Sequence, residues 1–385
     1  MPSFWTRQPG TALYTAFFVA FTLLRLPWLS TLYLFPSLRP NSSWTFRQSL
    51  SRTLFVYFGK FVAKIELKPP PLLQAGNEKD RFVIAQPARS ELYRDILLCD
   101  PLIRPGLVGA VWHTEPITRP GQHRRGQRVF FHVHGGAYVI GDGRDIGIRF
   151  MSSLLLRSSP GCAIFCPEYR LSSAPDGRFP AAFQDAVTAY SYLVHELQIP
   201  PQDIVLSGDS AGAHLAIALL RYANSNPDIL PEPAALLLWS PWPDMMIEVD
   251  VADDRPATHV DHVAPQLIAW TYREFLPRAE AGVARSNPYI SPVTAGIPTK
   301  VPIWVQWGSA EVLVPEIKNF VKVQESSQSR HISSGTKSRV GTYEVAHAPH
   351  DILTLAPMIG WKEEAAKAVE KAVQFLDEWL LQDRV

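Results

Sequence analysis

The sequence predicts an α/β fold built on a mainly parallel sheet, and three observations predict it. Short apolar runs bounded by glycine, proline or polar residues recur beyond residue 127. Segments of helical periodicity separate them. Strand and helix in turn require crossover connections, which leave neighbouring strands parallel. The runs are Val129 to Val133, Cys162 to Cys166, Ile204 to Ser207, Ala234 to Trp239, Ile303 to Trp307 and Thr342 to Val345, and their near-continuous apolar character is that of strands buried on both faces. Between them, Ala181 to Leu197 aligns Phe183, Ala186, Val187, Tyr190, Leu193, Val194 and Leu197 on one stripe. Ala211 to Tyr222 and Lys362 to Leu381 are two more helices, and Val263 to Phe275 has the same periodicity inside an otherwise polar, turn-rich stretch.

Of the 385 residues, 46% are apolar and 19% charged, so a packed core is expected. With 37 basic against 36 acidic side chains, the chain carries no overall basic footprint for nucleic acid. The 34 prolines argue for many fixed turns. Cys99, Cys162 and Cys166 make a poor disulfide framework. On a strand the last two would stand about 13 Å apart, too far to pair. All three read as buried reduced thiols, and none sits at zinc-ligand spacing.

The N-terminal stretch differs in kind. Thr11 to Phe35 contains one charge, Arg25, and is long enough to cross a bilayer, with that arginine and Pro27 as defects near its centre. A membrane anchor is the expected reading, with an interfacial hairpin or helix, or a buried cap helix, as the alternatives. A cleaved signal peptide fits less well because no small-x-small site precedes Arg25. Arg39, Arg47, Arg52, Lys60 and Lys64 beyond the segment against Arg7 before it favour a cytosolic catalytic part, whereas the sequon Asn41-Ser42-Ser43 would matter only in a lumen. From Arg47 to Leu67, Leu50, Leu54, Phe58, Phe61 and Ile65 recur at helical spacing, and Pro69-Pro70-Pro71 is expected to stop that helix.

The chemistry sits at strand ends. Gly208-Asp209-Ser210-Ala211-Gly212 follows one predicted strand and opens a predicted helix, a turn so tight that glycines must flank the serine. Upstream, Val129 to Val133 runs into His134-Gly135-Gly136-Ala137-Tyr138. Backbone N–H groups there, with that of Ala211, are candidates for an oxyanion site, and His134 reads as a residue bracing the loop. A serine needs a base and an orienting acid, expected in chain order after it. Glu311 lies on the loop after Ile303 to Trp307, with Glu316 and Asp351 as rival acids, and His347 and His350 both follow the strand ending near Val345.

Together HGGAY, the stretch Pro167-Glu168-Tyr169-Arg170-Leu171 running to Phe179-Pro180-Ala181-Ala182, GDSAG, Ser240-Pro241-Trp242-Pro243-Asp244, GSAEVL and the Pro-His-Asp element resemble the hormone-sensitive-lipase-like branch of the α/β-hydrolases over about two thirds of the chain. The N-terminal region also resembles fungal membrane-anchored steryl acetyl hydrolases and esterases of secondary metabolism. The resemblance implies an eight-stranded, mostly parallel sheet with helices on both faces. It assigns Ser210 as nucleophile, Glu311 as acid and His350 as base, with an oxyanion site from Gly135, Gly136 or Ala137 and Ala211. Where many relatives have a third glycine this chain has Ala137, and where many have Asp it has Glu311.

The implied function is a serine carboxylic-ester hydrolase acting through an acyl-enzyme, without metal or organic cofactor, on a short-chain ester of a bulky apolar alcohol such as a sterol or secondary metabolite. Alternatives on the same residues are an acyltransferase, an amidase or formamidase and, in a different class, a non-catalytic small-molecule receptor. The expected organisation is a membrane segment over 1–40, a cap and connector over 41–127, and a catalytic domain over 128–385 with a cap insertion near 244–286. The sheet is expected from about Arg128 onward, with a helical cap from residues near 41 to 90 and from the insertion. Localisation follows as membrane-associated, at the endoplasmic reticulum, through a single N-terminal anchor. A base of this kind should give a pH limb near the ordinary imidazole range, about 6 to 7.

Overall fold

Six parallel strands carry the fold: β3 (Val129–Val133), β4 (Ala163–Glu168), β5 (Ile204–Asp209), β6 (Ala235–Trp239), β7 (Ile303–Gly308) and β8 (Val340–Val345). The computed structural model describes residues 3–68, 73–246, 260–331 and 339–382. In it, β1 (Phe82–Ala85) and β2 (Val108–Trp112) complete an eight-stranded sheet of order β1-β2-β4-β3-β5-β6-β7-β8. Both added strands are antiparallel to their neighbours, β1 to β2 and β2 to β4.

These two strands correct the expectation that the sheet begins near Arg128 and that residues 41 to 90 are helical cap. An antiparallel pair needs no crossover helix, so β1 and β2 lack the helical segments that mark the parallel strands in the sequence. β1 is also only four residues long. β8 departs from the pattern in another way: as an edge strand it exposes Thr342 and Glu344 instead of being buried on both faces.

The strands between the edges are buried, and helices cover both faces of the sheet. On one side pack α4 (Ala181–Ser191), α5 (Ala211–Ser225) and α7 (Val314–His331), while α6 (Pro265–Phe275) packs against the N-terminal helix Phe46–Ile65 and the loop after β3. On the other lie α3 (Asp145–Ser158), α8 (Ile352–Ile359) and α9 (Lys362–Gln382). Registers such as Val133 opposite Gly208, Asp209 opposite Trp239 and Gly308 opposite Val345 bring the C-terminal ends of β3, β5, β6, β7 and β8 to one edge. Loops leaving that edge are where ligands bind in open parallel sheets.

Two N-terminal helices complete the chain, α1 (Gly10–Tyr33) and α2 (Phe46–Ile65). A reciprocal capping box between Thr45 and Gln48 starts α2. Glu66, in a left-handed conformation at φ 48°, ends it ahead of the proline run expected to stop it, which lies outside the described residues. α2 is fastened to the sheet domain at several points. Trp44 Nε1 donates to the His347 carbonyl at 2.7 Å, Gln48 Nε2 to Gly360 at 3.0 Å, and Arg52 Nε to Val260 and Asp261, each at 3.0 Å. α1 runs antiparallel along α2. Phe18 stacks on Phe61 at 4.4 Å, Phe21 meets Tyr57 at 5.7 Å, and the Tyr33 and Thr53 hydroxyls are 2.9 Å apart. The turn-rich stretch Asp250 to Pro256 lies outside the described residues. Cys162 and Cys166 are buried, Cys99 is partly buried, and all three are free thiols.

Candidate active site

Ser210 occupies the single residue between β5 and α5, at φ 52° and ψ −118°. A non-glycine residue there costs roughly 1–3 kcal/mol, and the surroundings must enforce it. The Ser210 N–H donates to the Trp239 carbonyl at 2.9 Å, and the Ser210 carbonyl accepts from the Trp242 N–H at 3.2 Å. Gly212 permits the close crossing below: a Cβ at this position would stand 2.1 Å from the Val133 oxygen and 2.4 Å from that of His134. Both contacts are with backbone that cannot swing away. Gly212→Ala is therefore expected to destabilise by about 1–3 kcal/mol or more, read as a lowered Tm with activity falling alongside. An unchanged Tm would contradict this packing.

The Ser210 hydroxyl donates to His350 Nε2 at 2.7 Å, and His350 Nδ1 donates to Glu311 Oε2 at 3.0 Å. All three side chains are buried or nearly so. Glu311 stays in place because its other oxygen accepts from Ser240 Oγ at 2.6 Å and from the Gly308 N–H. The rival residues stand apart from this chain. His347 is exposed, with its backbone N–H on Ser309 Oγ at 2.7 Å. The Asp351 carboxylate caps α8, accepting from the Thr354 N–H at 3.3 Å and its hydroxyl at 2.5 Å. Glu316 lies in the first turn of α7.

Asp261 holds this arrangement from behind and was not singled out from the sequence. Fully buried, it accepts from the backbone N–H groups of His350 at 3.1 Å and Val312 at 2.8 Å, so one carboxylate ties the histidine loop to the loop carrying Glu311. It precedes α6 in a stretch with no strand or motif, and only the tertiary approach reveals it. Ser240 opens the Ser-Pro-Trp-Pro-Asp stretch after β6. Its hydroxyl bridges Glu311 and the Asp351 N–H, the latter at 3.1 Å.

These carboxylates set the electrostatics. Burial alone would depress the His350 pKa. The hydrogen bond and charge of Glu311, followed by the charges of Asp261 and Asp351, outweigh it and raise the pKa to about 9. Burial raises Glu311 as well. Carboxylate charge sealed from water favours the imidazolium, so the pH limb is expected above the ordinary imidazole range of about 6 to 7. Beneath the site, burial pushes Asp209 to about 6, and burial plus the Asp209 charge pushes Asp351 to about 7. The two carboxyls interact directly, so their titrations are coupled.

The loop after β3 faces Ser210. His134 is neutral, its pKa lowered to about 4 by burial; its Nδ1 donates to the Gly135 carbonyl at 2.7 Å and its ring stacks on Tyr169 at 4.3 Å. His132 pairs with Ser207 and Asp209 inside the sheet. The Gly135 N–H interacts with the Asp209 carboxylate. Among the described residues no protein acceptor takes the N–H groups of Gly136, Ala137 or Ala211, and Ala211 opens α5, where the first-turn N–H groups have no helical partner. Ala137 adopts φ 54°, and its carbonyl accepts from Thr271 Oγ1 of α6 at 2.8 Å. Tyr138 donates to His214 Nδ1 at 2.6 Å, while His214 Nε2 donates to the Ile290 carbonyl at 2.9 Å.

Ser210 and His350 open into a cavity of about 760 Å³ with mostly apolar walls. Leu54, Phe55 and Phe58 come from α2, Leu267 and Ile268 from α6, and Leu355 and Met358 from α8. The described residues hold no cluster of three or more His, Cys, Asp or Glu side chains placed for a metal ion.

A serine at a strained strand-to-helix turn, hydrogen-bonded through histidine to a carboxylate at the C-terminal edge of an eight-stranded sheet, defines the α/β-hydrolase class. The chain belongs to the α/β-hydrolase fold family, whose sequence model matches residues 130–334. It is 35% identical over 214 residues to an acetyl-hydrolase of Streptomyces hygroscopicus, covering 55% of this chain and 66% of that protein. It is also 28% identical over 200 residues to an esterase of Acinetobacter venetianus, covering 52% and 62%. The matched part thus spans under two thirds of the length of these curated relatives. Among solved structures, an esterase of the bacterial hormone-sensitive lipase family superimposes with a TM-score of 0.56 over 92% of this chain and 98% of that one, at 24% identity, a likeness of fold.

Proposed function

We propose that the chain is a serine carboxylic-ester hydrolase. The observation that carries this reading is the 2.7 Å contact between Ser210 Oγ and His350 Nε2, continued to Glu311, at the wall of an apolar cavity. Ser210 attacks the ester carbonyl while His350 takes its proton. The negative charge that develops on the carbonyl oxygen is met by the N–H groups of Gly136, Ala137 and Ala211, which no protein acceptor takes among the described residues. Gly135 serves less directly, since its N–H faces Asp209. His350 then protonates the departing alcohol. Water, deprotonated by the same imidazole, releases the acid from Ser210 and restores the enzyme. Glu311 holds the imidazole in the tautomer that leaves Nε2 free to accept.

The substrate we infer is a short-chain, acetyl-type ester of a bulky apolar alcohol such as a sterol or secondary metabolite. The volume and apolar walls of the cavity support the alcohol part, and the acetyl-hydrolase name of one relative supports the acyl part. Apolar contact with Leu54, Phe55, Phe58, Leu267 and Ile268 would bind such a group at about 25 cal/mol per Å² buried. The test compares the acetate of a bulky apolar alcohol with a long-chain ester of a small alcohol, with and without an added alcohol acceptor. The expected result is a higher kcat/KM for the acetate and free acid as the main product. Turnover of neither ester by folded protein, or transfer to the acceptor as the main reaction, would overturn the reading.

A further inference from the structure

The first 65 residues contain seven basic side chains and no acidic one, leaving 30 basic against 36 acidic in the remainder. In this basic region lies α1, 24 residues and about 36 Å long, with only 6% of its most apolar stretch buried in the protein. Leu13, Phe17, Leu23, Leu24 and Trp28 are each more than half exposed. An apolar surface of this extent, set among positive charge, fits an anionic lipid surface.

The packing of α1 decides how it meets that surface. α1 contacts α2 along its whole length, from Tyr14 and Phe18 on Phe61 to Tyr33 on Thr53. α2 in turn is fastened to the catalytic body through Trp44, Gln48 and Arg52. An α1 crossing the bilayer would carry α2, with its Lys60 and Lys64, into hydrocarbon, or would have to leave α2. Arg25 points the same way. Its guanidinium donates to the Tyr57 hydroxyl at 3.0 Å and lies 5.0 Å from the Phe21 ring, near the middle of the helix, where a spanning arrangement would place it deep in the membrane. In a helix lying flat, it reaches the headgroups.

The mouth of the cavity lies on the flank of the same helix pair. Its rim includes Phe58, Leu67, Ile146 and Met358, which are 45%, 42%, 97% and 53% exposed. Phe58 adjoins Tyr57 and precedes Phe61 by three residues, and those two hold α1. Phe58 on the rim thus belongs to the helix against which α1 packs.

We propose that α1 lies in the plane of an anionic leaflet, half-inserted beside α2, with the Phe58 rim turned to the bilayer, so that the ester reaches Ser210 from the lipid phase. The membrane is engaged from one side only. The access route rests on the esterase reading; the flat insertion does not.

The test uses the full chain, diluted from detergent onto preformed phosphatidylcholine vesicles with or without phosphatidylserine. Ser3→Cys and Ser37→Cys, at the two ends of α1 and made in a Cys99→Ala background, are labelled with a membrane-impermeant maleimide. The expected result is binding that increases with phosphatidylserine, with both positions fully labelled before lysis. Absence of vesicle binding, or one end that labels only after lysis, overturns flat insertion. Phe17→Glu with Leu24→Glu should lower the turnover of a vesicle-dissolved acetate ester by at least about tenfold while sparing a water-soluble acetate. Equal turnover of the vesicle-dissolved ester by this variant and the wild type overturns access from the lipid phase. Loss of the soluble reaction in the wild type would instead strike the esterase reading, with the labelling result still standing.

Discussion

His350→Ala is expected to lower kcat for a soluble acetate ester by roughly 10⁴–10⁶, with the fold intact, while a change at His347 leaves turnover essentially unchanged. The two histidines are three residues apart, and the chain treats them oppositely. His350 is held by its own N–H on the buried Asp261 carboxylate and places its two ring nitrogens on Ser210 and Glu311. His347 uses only its backbone in these contacts, accepting from Trp44 Nε1 and donating to Ser309 Oγ. Because His347 has φ 60°, His347→Asn is the cleaner substitution, asparagine tolerating that region better than alanine. Steady-state kinetics on both variants, with circular dichroism to check the fold, decide the matter. Retained turnover in His350→Ala would remove the base from the account.

Glu311→Gln should lower kcat by roughly 10²–10⁴ and move the pH limb. In the wild type the neutral imidazole is the active form, and its pKa is raised, so activity is lost as pH falls through about 9. Removing the Glu311 charge takes away the main influence opposing burial. The His350 pKa then falls, and the limb moves to lower pH even as the maximal rate drops. A variant in which only packing had failed would lose activity without that displacement. Glu316→Gln, on the first turn of α7, should change neither kcat nor the limb. A Glu311→Gln enzyme with normal turnover, or one with an unmoved limb, would contradict the assigned role.

The parallel part of the sheet was readable because each of those strands is an apolar run followed or preceded by a helical stripe, and the strand-to-helix turn at Ser210 needs glycines at fixed places. What was not readable depends on partners distant in the chain. β1 and β2 have no crossover helix to announce them, and Phe82-Val83-Ile84-Ala85 looks like any short apolar stretch. Asp261 acquires its role only when the loop after β8, 89 residues on, folds over it. The raised pKa of His350 follows from the convergence of Glu311, Asp261 and Asp351, and no one segment contains all three. For α1, the sequence displayed length, apolarity and one misplaced arginine, but the surface that receives that arginine is Tyr57, on the next helix.

The central claim is that Ser210, and no other residue, forms the covalent bond to substrate. Incubation of the purified protein with a fluorophosphonate, followed by intact-mass measurement and peptide mapping, tests it most directly. One adduct per chain is expected, located on Ser210, absent from Ser210→Ala and formed more slowly as pH falls below the raised His350 pKa. An unlabelled, folded wild-type protein, or an adduct on any other residue, would contradict it.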